Sequence, residues 1–150
     1  NLFGAEAISQ CLSKYCISEK NSASIARFEK QGKWTEDFIK QLMEIKGCVM
    51  IPHCRGKEAG AEFSPWVVQA AFPGIPGQVM ERALSTKGFY ISTGSACSAG
   101  HHSRPILDTM QIPPKEKESA VRFSFGHDTT KEAMDQLIKA VKEVCQAFFH

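Results

Sequence analysis

Val121-Arg122-Phe123-Ser124-Phe125-Gly126, followed by Thr129-Thr130-Lys131-Glu132 and by apolar side chains at 134, 137, 141, 144 and 148, decides the fold of this chain. Apolar and polar residues alternate from 121 to 125, the period of a half-buried strand, and that alternation sends Arg122 to the face opposite Val121 and Phe123. Thr129-Thr130-Lys131-Glu132 reads as a capping box, and Met134, Leu137, Val141, Val144 and Phe148 keep the 3-4 rhythm of a helix lying on a sheet. A strand that hands directly to a long amphipathic helix fits an α+β domain.

Working outward, Phe89 to Ser92 reads as a strand, and Ser103 to Met110 as a short helix ended by Pro113-Pro114. Trp66 to Phe72 is a largely apolar strand. Pro73-Gly74-Ile75-Pro76-Gly77 then stops it and opens a helix from about 78 to 86, which buries Val79, Met80, Ala83 and Leu84 and closes at Gly88. Val49 to Pro52 is a short strand after Gly47-Cys48, and a polar loop follows it. Residues 2 to 18 form a helix. Asn21-Ser22 offers a cap for a further one running to Ile45 on Ile25, Phe28, Ile39 and Leu42, or for a shorter one with a fresh start at Thr35. With no repeats, low-complexity tract or linker, the whole is one α+β domain over 1–150.

The chain has 150 residues, of which 43% are apolar and 23% charged, enough to bury a core. Eighteen basic and 16 acidic side chains are spread along it for a net charge of +2, so it lacks the basic patch that nucleic-acid binding requires. No run approaches 18 consecutive apolar residues and no signal peptide opens the chain, so a cytoplasmic protein with no membrane contact is expected. Cysteines 11, 16, 48, 54, 97 and 145 are irregularly spaced and are expected reduced and mostly buried. Because the chain opens at Asn1 inside a helical pattern of Leu2, Ala5 and Ile8, it is expected to be part of a longer polypeptide.

Two residues stand out as chemical groups. Cys97 lies in Ser92-Thr93-Gly94-Ser95-Ala96-Cys97-Ser98, a run of small residues entered from Phe89-Tyr90-Ile91. A thiol on such a loop is approachable and free to move, which suits a nucleophile. Arg122, fixed on a strand and flanked by aromatics, could clamp a carboxylate through two parallel hydrogen bonds, and an α-amino acid supplies one. His53, His101, His102 and His127, near Cys54 and Cys97, lack the spacing of a zinc finger or ribbon, so no metal site is expected.

Ser64-Pro65-Trp66, Phe72-Pro73-Gly74-Ile75-Pro76-Gly77, the run from Tyr90 to Ser98, and Val121 to Gly126 with Thr129-Thr130 beyond occur in the order and near the spacing seen in one family. Over about 60 to 145 the chain resembles the cysteine desulfurases of the NifS/IscS type, within the class-V aminotransferase-like enzymes that use pyridoxal phosphate. Residues 1 to 60 share only helical character with it. The resemblance implies the small C-terminal domain of a two-domain enzyme, with helices packed on one side of a small mixed or antiparallel sheet.

It also implies a division of labour. Cys97 would attack the sulfur of L-cysteine and carry it as a persulfide while alanine leaves. Arg122 would hold the substrate carboxylate, and Ser92, Thr93, Gly94, Ser95, Ala96 and Ser98 would form the active-site loop. Sulfur would pass to an acceptor or scaffold protein for iron-sulfur clusters or thiolation, and the whole enzyme would be a homodimer. The family's Schiff-base lysine and most cofactor contacts lie in a large domain that these 150 residues do not contain, so the isolated chain is expected neither to bind pyridoxal phosphate tightly nor to turn over cysteine. An aminotransferase or selenocysteine lyase on the same fold, and a non-catalytic sulfur-carrier or partner-binding domain, are the alternatives. His101-His102 departs from the family pattern and leaves the acceptor open.

Overall fold

The computed structural model describes residues 20–57, 63–93 and 105–149, with side chains from residue 23 onward. At its centre is a three-stranded antiparallel sheet in the order β1 (Val49–Ile51), β2 (Val67–Ala71), β3 (Ala120–Ser124). Val67 to Ala71 pair with Ser124 to Ala120, and Val49 to Ile51 pair with Ala71 to Gln69. Because facing residues share a side of the sheet, this register sorts the strands into two faces. Met50, Val68, Ala70, Val121 and Phe123 form one face, and all belong to the main apolar cluster. Val49, Ile51, Val67, Gln69, Ala71, Ala120, Arg122 and Ser124 form the other.

The first face is covered by α1 (Lys20–Met43), α2 (Gly77–Ser85) and the last helix, α5 (Lys131–Phe148), which bring Phe38, Leu42, Met80, Leu84, Met134 and Val141 to the cluster. Phe38 stands edge-on to Phe123 at 5.3 Å and to Phe125 at 5.4 Å, locking α1 against β3 and the residue beyond it. The long helices thus lie on one side of the sheet, as the resemblance implies. The α+β class is as read from the sequence.

Several elements differ in detail. The helix of 2–18 lies outside the described residues. The segment beyond it is one helix rather than two, and it starts at Lys20, so Asn21 and Ser22 are helical positions and not its cap. Thr35 does not begin a second helix: it is buried, donates to the Pro65 carbonyl at 2.7 Å and accepts from Gln31 Nε2 at 3.1 Å. Ile25 and Phe28, 53% and 50% exposed, are not core residues. This part of α1 is fastened by polar contacts instead. Arg27 lies between the Trp34 and Trp66 rings, 5.0 and 5.1 Å from their centres. It donates to the carbonyls of Gly126, His127 and Thr129 and to Gln31 Oε1.

Thr130, rather than Thr129, caps α5 by accepting from Ala133 N–H. Thr129 accepts from Gly126 N–H, which closes the turn before the helix. Phe148 is 48% exposed, so the buried stripe of α5 ends at Val144 and Cys145. In α2, Met80 and Leu84 are buried as read, whereas Val79 and Ala83 are half-buried. Phe89 to Ser92 is not a strand; only Ser92 makes an isolated bridge, and Tyr90 is 86% exposed.

On the second face, Ile51, Ala71 and Ala120 pack with Leu107 and Ile112 in a separate small cluster. These last two come from α3 (Pro105–Thr109) and the turn after it, which leads to α4 (Pro114–Ser119). Pro113-Pro114 therefore opens a helix as well as ending one, since a proline at the first helical position gives up no needed N–H. The cover is partial: Arg122 and Ser124 remain exposed and Gln69 half-exposed.

Candidate active site

Arg122 occupies the middle of β3 on the open part of the second face, while Val121 and Phe123 on either side are buried. Ser92 is its neighbour on the outer edge: Arg122 N–H donates to the Ser92 carbonyl at 2.6 Å, and Ser92 N–H donates to the Arg122 carbonyl at 3.1 Å. On the inner edge its Cα partner is Gln69 of β2. Alternation thus gives the correct face for Arg122, and the structure sets it between Ser92 of the small-residue run and Gln69 of β2. Gln69 was visible only as the lone amide in Val67-Val68-Gln69-Ala70-Ala71.

Thr93, the next residue of the loop, is 8% exposed and seated against the start of α2. A Cβ on Gly77 would fall 2.9 Å from the Ala120 carbonyl oxygen, 3.3 Å from Thr93 Cγ2 and 3.4 Å from the Glu118 oxygen. The missing side chain lets α2, the end of α4, the start of β3 and Thr93 meet at one point. Gly94, Ser95, Ala96, Cys97 and Ser98 lie outside the described residues, as do His101 and His102.

The start of β2 is braced from the turn after β1. Arg55, 7% exposed, donates to the Val67 carbonyl at 2.6 Å and to the Ser64 carbonyl at 2.8 Å, with the Phe63 ring 5.2 Å from its guanidinium carbon. Burial pulls this guanidinium below its ordinary pKa.

Two of the three described cysteines are poor nucleophiles. Burial first, and the neighbouring Cys145 second, push the Cys48 thiol up to about 12. Burial pushes Cys145 to about 11. Both stay protonated at neutral pH and so lack the thiolate that reacts. Among the described cysteines Cys145 is fully buried and Cys48 and Cys54 are half-buried; Cys11, Cys16 and Cys97 lie outside the described residues. His53 Nε2 is hydrogen-bonded to Glu116 Oε2 at 2.6 Å, and His127 packs on Trp66 at 5.2 Å. Among the described residues no three His, Cys, Asp or Glu side chains come together as metal ligands.

A carbonyl cofactor needs a lysine amine in a sheltered site, and the described lysines do not supply one. Those that are half-buried are on helices and ion-paired, Lys117 with Asp108, Lys131 with Asp135 and Lys142 with Glu44, and none is in a strand. The described residues thus do not fit pyridoxal phosphate as its anchoring site. No described helix is long and apolar enough to cross a membrane.

An exposed arginine thus stands on the edge strand of a three-stranded sheet backed by long helices, paired with Ser92 at the head of the small-residue run of the sequence. The chain belongs to the class-V aminotransferase family, whose model matches residues 5–137. The match begins well before residue 60, although residues 1 to 60 share little more than helical character with the desulfurase pattern. Among curated relatives, the "NifS/IcsS protein homolog" of Lactobacillus delbrueckii subsp. bulgaricus is 36% identical over 89 residues, 59% of this chain and 23% of that protein. "Cysteine desulfurase NifS" of Azotobacter vinelandii is 32% identical over 107 residues, 71% of this chain and 27% of its own length. The chain therefore spans about a quarter of these relatives. Among solved structures, a NifS-like protein superposes with a TM-score of 0.65 at 22% identity, covering 81% of this chain and 29% of its own. A NifS-like protein from Rickettsia africae gives 0.62 at 18%, covering 79% and 29%. At these identities the likeness is one of fold.

Proposed function

We propose that this chain is the small domain of a longer cysteine desulfurase, in which Arg122 holds the carboxylate of L-cysteine and Cys97 takes its sulfur as a persulfide while alanine leaves. The observation that carries this reading is the bridge between Arg122 and Ser92. It fixes a bidentate carboxylate binder beside the residue from which the chain runs to Cys97. Cys97 lies five positions beyond Ser92, so the thiol is tethered within about 18 Å of that bridge at full extension. The small residues between them give it freedom to move inside that radius.

Pyridoxal phosphate, which the described residues do not anchor, would supply the electron sink for breaking the carbon-sulfur bond if held elsewhere in the longer enzyme. This chain's residues orient the acid group, accept the sulfur and present it to a second protein, an acceptor for iron-sulfur cluster or thio-cofactor assembly. The names of the curated relatives and the limited part of their length that this chain matches, 23% and 27%, support this division. A homodimeric, cytoplasmic enzyme is the form proposed.

The test uses the full-length polypeptide that carries these residues. Cys97→Ala is expected to abolish alanine and sulfide production from L-cysteine, and Arg122→Ala to raise KM for it by roughly a hundredfold, the loss of a paired charge. Undiminished sulfide release by C97A removes Cys97 from the mechanism. A keto acid in place of alanine makes the protein an aminotransferase.

A further inference from the structure

Gln69 is the one polar residue of β2. The strand is central in the sheet, and Val68, Ala70 and Ala71 are buried. Glutamine gains little from such a position: it is not a strand-favouring residue, and an amide that is partly desolvated needs a hydrogen-bond partner. Gln69 has none among the described residues, and its side is the open part of the second face. The register places it directly across from Arg122, and facing Cβ atoms in such a pair stand about 5 Å apart.

The two side chains are complementary in what they offer one ligand. A guanidinium is donor-only, and a bidentate grip on a carboxylate occupies two of about four lone-pair sites on its oxygens. An amide NH2 one cross-strand step away on the same face can donate to one of the remaining sites. A water molecule would otherwise have to do so in the crevice between bound substrate and sheet. A neutral donor completes the grip without adding a second positive charge that would repel the substrate's ammonium group.

We infer that Gln69 is a second contact to the carboxylate held by Arg122, and that with it Gln69 sets the preference of the site for an α-amino acid over a simple amine. This deepens the proposed function and rests on its placing of Arg122 at the substrate.

The experiment compares Gln69→Leu, Gln69→Glu and Arg122→Lys in the full-length polypeptide, measuring kcat and KM for L-cysteine and the inhibition constant of cysteamine, which lacks the carboxylate. Q69L is expected to raise KM about tenfold, the worth of one hydrogen bond to a charged group, with kcat within about twofold of wild type. Cysteamine inhibition should be unchanged. Q69E preserves size and sets an anion beside the guanidinium, so its KM should exceed that of Q69L. A KM for Q69L within twofold of wild type, while R122K raises it, overturns the role of Gln69 and leaves the reading of Arg122 standing. Unchanged KM in both variants overturns both. Equal weakening of cysteine and cysteamine makes Gln69 a packing residue and also overturns the inference, as does a Q69E no worse than Q69L.

Discussion

Adding one methyl group at Gly77 and one at Gly32 should move stability in opposite directions. At Gly32, inside α1, no heavy atom lies within 4 Å of a new Cβ. Alanine there removes the conformational cost of a mid-helix glycine, worth about 1 kcal/mol. At Gly77 the new Cβ would meet the Ala120 carbonyl oxygen at 2.9 Å, and that oxygen belongs to the backbone of β3. The Glu118 oxygen at 3.4 Å is backbone too, so neither wall can swing aside as a side-chain tip would. Overpacking of this kind costs about 1–3 kcal/mol, and the helix-propensity gain of up to about 1 kcal/mol offsets part of it. The net for Gly77→Ala is a loss of about 1–2 kcal/mol. In a domain of this size 1 kcal/mol corresponds to about 2–4 °C in Tm. Thermal and urea unfolding of the chain followed by circular dichroism should therefore place G32A about 2–4 °C above wild type and G77A about 2–8 °C below. Thr93→Ser in the G77A background removes only the 3.3 Å contact with Thr93 Cγ2 and should recover less than half of the loss. A G77A protein as stable as G32A would refute the close approach at this junction.

Phe38→Ala should cost about 3–5 kcal/mol, read as a lower urea midpoint, because it removes a 2% exposed ring that two other rings grip edge-on. A loss below about 1 kcal/mol would mean that α1 is not fastened to β3 in this way. The Cys48 and Cys145 thiols, raised to about 12 and about 11, should resist alkylation at pH 8 in the folded chain and react fully in denaturant. Burial holds both above the ordinary range of an exposed thiol, so the native state keeps its protons where the unfolded state has lost them. Their contribution to stability is thus complete below about pH 9 and falls as pH rises toward 11 and 12, which unfolding curves at pH 8, 9.5 and 10.5 would show. Flat stability across that range contradicts the burial of both groups.

What could be read from the sequence followed period. β3 and α5 announce themselves because alternation and the 3-4 stripe each run for several repeats, and both faces of those elements came out as read apart from Phe148. Arg122 was legible for the same reason: alternation alone fixes which way it points. α4 was not, since Pro114-Lys115-Glu116-Lys117-Glu118-Ser119 has no apolar stripe and its opening prolines look like a stop. Ile25 and Phe28 satisfied the helical rhythm yet are about half exposed, and rhythm cannot report what lies opposite. The pairing of Gln69 with Arg122 is a matter of register between strands far apart in the chain, which no local pattern encodes. Cys97 was read from composition and lies outside the described residues, so its proposed part in the site rests on that reading and on its closeness in sequence to Ser92.

The stacked guanidinium of Arg27 makes the chain's own optics informative. Both of its tryptophans, Trp34 and Trp66, touch that one cation, so intrinsic emission is gathered at a single seam, where the first helix meets the turn before the last one. A change in indole fluorescence in this chain therefore signals that helix lifting off its neighbours, and events confined to the exposed face around Arg122 should leave it dark.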